Sequence, residues 1–150
     1  MTRVKSESII EQLTSFNPQD AEAIKHLAGT VGKNYQPLTD HDMKEMITSP
    51  STYLLVARLP ETKEIVGMIT LLVHRVPYMR EAFLHNLVVD ETHRGKGIGS
   101  QLLQAAITKA KKLHAAYVEF TSHPRRIAGN KLYEKLGFTK RETNVYRMQL

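Results

Sequence analysis

Hydrophobic positions along the chain change their spacing several times, and each change predicts a different secondary-structure element. Alternating apolar and β-branched residues predict strands, while apolar residues three or four apart predict amphipathic helices. The predicted strands are 8–13, 52–58, 64–74, 82–89, 115–121 and 143–149, and the predicted helices begin near Asn17, Thr39, Gly97 and Arg125. This order predicts a mixed α/β domain with a mainly antiparallel front half, followed by a strand-helix-strand unit.

Several element boundaries carry residues with a specific structural role. Asn17 precedes a proline and is predicted to cap the first helix. The Thr39 hydroxyl is predicted to cap the second helix, with Asp42 near its positive end. Gly67 is expected to mark a bulge in its strand, and Gly137 is expected to end the last helix.

The length of 150 residues fits one domain, and neither a repeat nor a linker divides the chain, so a single domain over 1–150 is expected. Every apolar run is shorter than the roughly 20 residues of a membrane helix, and no signal-type apolar segment follows the polar start. We therefore expect a cytoplasmic protein with no membrane partner. The lack of cysteine excludes disulfides and cysteine nucleophiles, and the scattered histidines predict no metal site.

Charge is distributed unevenly between the two parts of the chain. Residues 1–90 hold 9 basic and 11 acidic side chains, whereas residues 91–150 hold 12 basic and 4 acidic ones. A strongly basic part indicates a polyanionic ligand, either nucleic acid or a phosphorylated cofactor. A well-solvated surface is the other interpretation of this charge. No recognition helix or base-stacking motif accompanies the charge, so nucleic acid is not expected as a partner.

The segment 87–100 is the most informative for chemistry. An apolar strand runs into a short loop and then into three glycines at alternate positions, which open the long helix. Glycine lets main chain approach a ligand closely, and the free N–H groups of a first helical turn attract an anion. Arg94 and Lys96 add full positive charges at the same place. The predicted pyrophosphate cradle consists of Arg94, Gly95, Lys96, Gly97, Ile98, Gly99 and Ser100.

Other interpretations of these glycines fit less well. The P-loop spacing is absent, and Ser100 stands where the dinucleotide fingerprint requires its third glycine. A purely structural role for these glycines, in shaping a tight turn, is disfavoured. Each glycine early in a helix lowers helix stability by up to about 1 kcal/mol relative to alanine, so three together indicate a further role.

Two stretches resemble signature motifs of the GNAT family of N-acetyltransferases. Residues 94–99 are similar to its R/Q-x-x-G-x-G/A motif, and residues 130–138 are similar to a helix ending in L-Y-x-x-x-G-F. The resemblance follows the element order of the whole chain and is weak only before residue 60. It implies the GNAT acyl-CoA N-acyltransferase fold, an α+β fold whose mostly antiparallel sheet is splayed at the cofactor cleft and flanked by helices.

The resemblance also implies specific partners and roles. It implies acetyl-CoA as the acetyl donor, an amine as the acceptor, and pairing into a homodimer, which is frequent in the family. The main chain of Leu87, Val88 and Val89 is expected to contact the pantetheine arm and to offer an oxyanion donor. Tyr133 matches the proton donor to the departing thiolate, and Asn130 shares its helix face and is expected to contact the cofactor.

The group that removes the proton from the amine has several candidates. Related sequences often have glutamate just before the position of Asn86, where this chain has His85. A neutral imidazole can act as a base, but His85 is also interpretable as a substrate contact or a packed strand residue. Glu81 and water are the alternatives. Arg125 and Arg126 either reach a cofactor phosphate or are solvated.

Two function hypotheses follow. The first is an N-acetyltransferase that moves the acetyl group of acetyl-CoA to a primary amine by direct attack in a ternary complex. Its acceptor site draws on Tyr35, Glu81 and His85, and polyamines, amino acids, antibiotics and protein N-termini are all suitable amines. The alternative is a non-catalytic acetyl-CoA sensor or partner-binding domain, which the replacement of the usual acid by His85 keeps open.

Overall fold

The computed structural model describes residues 8–31 and 36–150. Within those residues the strands are β1 (Ile9–Gln12), β2 (Thr52–Arg58), β3 (Ile65–Val76), β4 (Met79–Val89) and β5 (Val118–Glu119). The helices are α1 (Pro18–Gly29), α2 (Asp40–Thr48), α3 (Ile98–Lys112) and α4 (Ile127–Lys135), with a short 3₁₀ helix at Glu91–His93. Tyr35, a candidate for the acceptor site, lies outside the described residues.

The chain separates into two compact units. The first ends at Phe120, and the second begins at Thr121. The first unit contains the sheet, α1, α2 and α3, and the second contains α4. The single domain over 1–150 stays a prediction.

The five strands form one mixed sheet in the order β1-β2-β3-β4-β5. The first three pairings are antiparallel, and β4 pairs with β5 in parallel. Because α3 connects β4 to β5, these three elements form the expected strand-helix-strand unit. The prediction of a mixed α/β fold with an antiparallel front half is confirmed.

Helices cover both faces of the sheet. On one face α1 and α2 contribute Ile24, Leu27 and Met43 to a buried cluster with side chains such as Met68 of β3. The opposite face of β3 presents Gly67 to α3, since successive strand residues point to opposite faces. The sheet is therefore the middle layer, and its position fixes where α3 begins.

Capping residues define the starts of α1 and α2 as predicted. The Asn17 side chain accepts hydrogen bonds from the N–H groups of Gln19 at 2.8 Å and Asp20 at 3.3 Å. The Thr39 hydroxyl accepts from the N–H of Asp42 at 3.1 Å, and the Asp42 carboxylate accepts from the N–H of Thr39 at 2.9 Å. These bonds satisfy N–H groups that the helices leave unpaired. Hydrogen bonds from the Thr39 hydroxyl and from the Thr39 N–H lower the pKa of Asp42.

The bulge expected near Gly67 is confirmed. Ala57 pairs with Gly67 while its neighbour Arg58 pairs with Ile65, so Val66 is the extra residue of β3. The bulge falls where α3 crosses β3, beside the glycine that allows close contact.

Two strand predictions for the last part of the chain are corrected by the structure: one strand is absent and the other is shorter than predicted. Residues 143–149 form no strand, and the apolar side chains of Val145, Tyr146 and Met148 are exposed. Strand propensity becomes a strand only when another edge supplies hydrogen-bond partners, and this segment pairs with none within the described chain. The strand predicted at 115–121 is reduced to Val118–Glu119, because Ala115 still bonds back to Ala110 at the end of α3.

Candidate functional site

The strand β4 carries a bulge just before its end. Ile69 of β3 faces both Asn86 and Leu87, so β4 has one residue more than its partner here. Asn86 has a φ of 54°, a left-handed conformation that asparagine adopts more readily than most residues. A bulge leaves main-chain groups outside the ladder, so this part of β4 has hydrogen-bonding capacity to offer.

The bulge lies where β4 and β5 diverge. The two strands pair only at Ala82 with Val118 and at Phe83 with Glu119. From Leu84 onward, no other strand of the described chain pairs with that edge of β4. The open edge, residues 84–89, matches the splayed sheet that the resemblance implied.

The loop after β4 is held by hydrogen bonds at both of its ends. The N–H of Asp90 donates to the oxygen of Val66 at 2.8 Å, which fixes the loop to β3. The Asp90 carboxylate accepts from the hydroxyl of Thr92 at 2.6 Å and from its N–H at 3.0 Å. Further along, Arg94 Nε donates to the oxygen of Val89 at 3.1 Å. Hydrogen bonds within the protein thus define the path of this loop.

Hydrogen bonds within this loop favour the ionised form of the Asp90 carboxylate. The Thr92 hydroxyl, together with the Thr92 N–H and the nearby His93, lowers the pKa of Asp90 to about 2. His26 of α1 and His93 each approach the carboxylate at 3.5 Å. Asp90 therefore stays ionised at physiological pH and keeps its accepting bonds.

Two glycines in left-handed conformations turn the loop into α3. Gly95 has a φ of 76° and Gly97 a φ of 84°. Gly97 is the N-cap of α3, and no side chain caps this helix start. The N–H groups of the first turn therefore lack the capping bonds seen in α1 and α2, and the helix dipole adds a partial positive charge there.

Other predicted cradle residues take different positions. Arg94 and Lys96 are exposed, Ser100 is half-buried, and Ile98 is 2% exposed. A Cβ placed on Gly67 would lie 3.3 Å from Ile98 Cγ2 and 3.0 Å from Leu102 Cδ1, so α3 sits tightly on β3. The Ile98 side chain is a core residue that anchors the helix, and only its main chain is available to a ligand.

The candidate base residues lie on one face of β4. Glu81 and His85 both point away from α3, since Ala82 and Leu84 between them are buried on the α3 face. His85 is exposed. The Glu81 carboxylate instead accepts a short hydrogen bond from the Tyr117 hydroxyl and lies 3.2 Å from His74 Nε2.

The second unit presents Asn130 and Tyr133 on α4. The Asn130 amide donates to the oxygen of His123 at 3.2 Å, which ties the helix to the loop before it. The Tyr133 hydroxyl lies 3.7 Å from the position a Cβ would take on Gly129, and its ring contacts Phe138 edge-on. Arg125 and Arg126 are exposed. Gly137 has a φ of 95° and ends α4 as predicted.

Several residues that shape this region were not predicted from the sequence. The Asp-x-Thr pattern at Asp90 is a recognisable turn signal, because an aspartate side chain often accepts from the N–H two residues later. Asn86 within an apolar strand is a weaker signal for a left-handed bulge. The Tyr117 contact with Glu81 has no local signal, since 36 residues separate the two.

The described residues were compared with the requirements of a metal site and of a membrane-spanning helix, and they meet neither. In residues 8–31 and 36–150, no three histidine, aspartate or glutamate side chains are placed to bind a metal ion together. None of the helices in these ranges has the length and apolar character needed to cross a bilayer.

Comparison with known proteins places the chain in a family. A sequence profile of the acetyltransferase (GNAT) family matches residues 19–138. The L-2,4-diaminobutyric acid acetyltransferase of Marinococcus halophilus is 35% identical over 86 residues, which are 57% of this chain and 48% of that protein. This chain thus spans about half the length of that relative.

Solved structures share the fold. An acetyltransferase from Trypanosoma brucei has a TM-score of 0.78 at 21% identity, over 96% of this chain and 100% of that one. An aminoglycoside acetyltransferase from an uncultured soil metagenomic sample, in complex with sisomicin, has a TM-score of 0.77 at 21% identity over 95% of each chain. Because the family profile covers most of the sequence, the chain belongs to the GNAT family of acetyltransferases.

Proposed function

We propose that this protein is an N-acetyltransferase that moves the acetyl group of acetyl-CoA to a primary amine by direct attack in a ternary complex. The observation that carries the proposal is the loop from β4 to α3. There, two left-handed glycines lead into a helix start that no side chain caps. Such a helix start attracts phosphate groups through its N–H groups and its dipole.

The space above the loop supports a bound diphosphate. A Cβ added to Gly95 or Gly97 would meet no atom within 4 Å, and one added to Gly99 would make only an ordinary contact with Val89 Cγ2 at 3.8 Å. Packing inside the protein therefore does not require glycine at position 99, whereas close approach of a ligand to the main chain does. The proposed cofactor contacts are Arg94, Gly95, Lys96, Gly97, Ile98, Gly99, Ser100 and, on α4, Asn130.

The open edge of β4 supports a site for the pantetheine arm. The main chain of Leu87, Val88 and Val89 would bond its amide groups as an added strand does. When bound, acetyl-CoA supplies the acetyl thioester. One N–H of this segment would donate to the thioester oxygen, a contribution typically worth about 3 kcal/mol. The bulge at Asn86 and Leu87 favours this role, because it frees main-chain groups from the ladder.

Proton movements are assigned to two side chains. As the nitrogen–carbon bond forms and the carbon–sulfur bond breaks, His85 takes the proton of the amine, with Glu81 or water as alternatives. Tyr133 donates to the departing sulfur. A phenol is a weaker acid than a thiol, so a hydrogen bond contributes more here than complete proton transfer.

The relatives support an amine as the acceptor. Two of the similar proteins are named for amine substrates, L-2,4-diaminobutyric acid and aminoglycosides. Both compounds carry more than one amino group, and the acidic balance of residues 1–90 agrees with a cationic acceptor.

A thiol-release assay tests the proposal. Purified protein is mixed with acetyl-CoA and a panel of amines, and free thiol is measured. We expect turnover with at least one amine, loss of turnover in Tyr133→Phe with coenzyme A affinity retained, and no change in Tyr146→Phe, which alters an exposed tyrosine. A sensor would release no thiol with any amine, and that result would overturn the proposal.

A further inference from the structure

The face of β4 that carries His85 continues toward the start of the strand. Glu81, Phe83 and His85 alternate along β4 and share one face, and Glu81 pairs across the sheet with His74 of β3. The four residue steps from Glu81 to His85 span about 13 Å along the strand. An acceptor lying along this face therefore passes Phe83 and reaches Glu81.

The Glu81 carboxylate is held in a fixed position. The Tyr117 hydroxyl donates to Oε1, and His74 Nε2 lies 3.2 Å from Oε2. The His74 ring in turn stacks on Phe83, with centroids 5.8 Å apart and planes within 10°. A carboxylate whose orientation is fixed loses less conformational entropy when it binds a ligand.

No lysine or arginine side chain of the described chain forms an ion pair with Glu81. Its side chain is 18% exposed, and within the described chain its ion pairs involve only His74. A carboxylate has about four acceptor positions; the Tyr117 hydroxyl uses one, and His74 Nε2 lies beside another. An ammonium group would fill the others, and the neighbouring Phe83 ring would add a cation–π contribution.

We infer that Glu81 binds a second cationic group of the acceptor, so that the preferred substrates are diamines or polyamines with amino groups far apart. The inference rests on the proposed function, with the reacting amine near His85 and the β4 bulge. Glu81 is then a specificity determinant for the length and charge of the acceptor.

A purely structural role for Glu81 makes a different prediction. Its contacts join β3, β4 and the residue just before β5, so it also braces the pairing of β4 with β5. Glutamine has the same shape and still accepts from Tyr117, so Glu81→Gln removes the charge and preserves this brace. A structural role alone predicts equal effects on all amines.

The test compares amines that differ only in their second charge. Values of kcat/KM are measured for 1,8-diaminooctane, spermidine and octylamine with wild type, Glu81→Gln and Glu61→Gln. Glu61 lies exposed in the turn between β2 and β3, so its substitution removes the same charge at a distance. We expect wild type to prefer both multiply charged amines, and this preference over octylamine to fall about tenfold or more in Glu81→Gln only.

Other outcomes would refute either the inference about Glu81 or the proposed function. Equal kcat/KM values for diaminooctane and octylamine in wild type, or the same preference in Glu81→Gln as in wild type, would refute the inference alone. Loss of turnover with every amine in Glu81→Gln would identify a catalytic or structural role instead. A wild-type protein that acetylates no amine would refute the proposed function, and the inference with it.

Discussion

Arg94 Nε donates a hydrogen bond of 3.1 Å to the main-chain oxygen of Val89, the last residue of β4. The bond folds the arginine side chain back along the loop and closes the turn that leads to Gly95. An arginine carries five N–H donors, so four remain, and none of them bonds elsewhere in the described chain. One side chain thus shapes the loop and still presents donors to an anion.

Substitution of Arg94 is expected to weaken coenzyme A binding. Arg94→Ala removes a charged hydrogen-bond donor and should raise the dissociation constant about tenfold or more. Arg94→Lys keeps the charge without the planar fork, so its effect should be intermediate. Lys111→Ala, which removes one charge at the opposite end of α3, is the control. Calorimetry that found wild-type affinity in Arg94→Ala would contradict this assignment.

Asp90 is expected to make stability depend on pH in acid. Its pKa is about 2 in the folded protein, below the ordinary 3.8. A carboxylate with a lowered pKa in the folded state stabilises the protein at any pH above its ordinary pKa. This contribution is lost as the pH falls through the folded-state pKa of about 2. Asp90→Ala should therefore cost about 1 kcal/mol at neutral pH, and its difference from wild type should narrow below pH 4.

Urea unfolding at pH 7, 4 and 2.5 measures this difference. Glu91→Ala serves as the control, because it removes an exposed carboxylate from the same 3₁₀ helix. A free-energy difference between wild type and Asp90→Ala that stays constant into acid would show that the Asp90 charge contributes nothing.

Gly67→Ala is expected to shift the proposed pyrophosphate cradle, although Gly67 itself is not part of the cradle. The new Cβ would lie 3.0 Å from Leu102 Cδ1 and 3.3 Å from both Ile98 Cγ2 and the oxygen of Val88. Relief of this crowding requires α3 to shift, at a cost of about 1–3 kcal/mol. Thermal unfolding should show the loss, and coenzyme A affinity should fall because the start of α3 moves. Unchanged affinity in the folded variant would mean that the placement of this helix on β3 is not critical.

Arg58 is expected to stabilise the far side of the sheet. It bonds both oxygens of Asp20 at 2.9 Å, Glu11 at 2.6 Å and the oxygen of Lys63 at 2.7 Å, and Asp20 most strongly raises its pKa. The Arg58 and Asp20 side chains are 16% and 18% exposed. Arg58→Met would leave these carboxylates unpaired, so urea unfolding should show a loss of about 2 kcal/mol.

The exposed Arg75 of β3 provides the comparison for Arg58, and Arg75→Met should change stability by less than about 0.5 kcal/mol. Equal stability of the two variants would mean that the Arg58 bonds are balanced by the cost of desolvation.

Features fixed by neighbouring residues were the ones that the sequence predicted well. Asn17 and Thr39 cap their helices through hydrogen bonds that span two or three residues. Gly137 adopts a left-handed conformation directly after α4, and a glycine at this position ends a helix locally. The glycines before α3 were equally readable, since only glycine takes such conformations at low cost.

Features that depend on distant partners were predicted poorly. Residues 143–149 alternate as a strand does, yet a strand also needs an adjacent edge. The length of β5 depends on where β4 diverges from it. The orientation of Glu81 depends on Tyr117, which precedes β5, and on His74 of β3. The bond from Arg94 to Val89 likewise depends on the path of the loop.

The central claim is that glycine-lined N–H groups at the start of α3, with Arg94 and Lys96, bind the diphosphate of coenzyme A. Calorimetry of the same protein with coenzyme A and with pantetheine, which lacks the phosphates, tests it most directly. We predict binding of coenzyme A that weakens as salt is raised, at least tenfold weaker binding of pantetheine, and a lower coenzyme A affinity in a stably folded Gly99→Ala variant. Failure of wild type to bind coenzyme A, or equal affinity for the two compounds, would contradict the account.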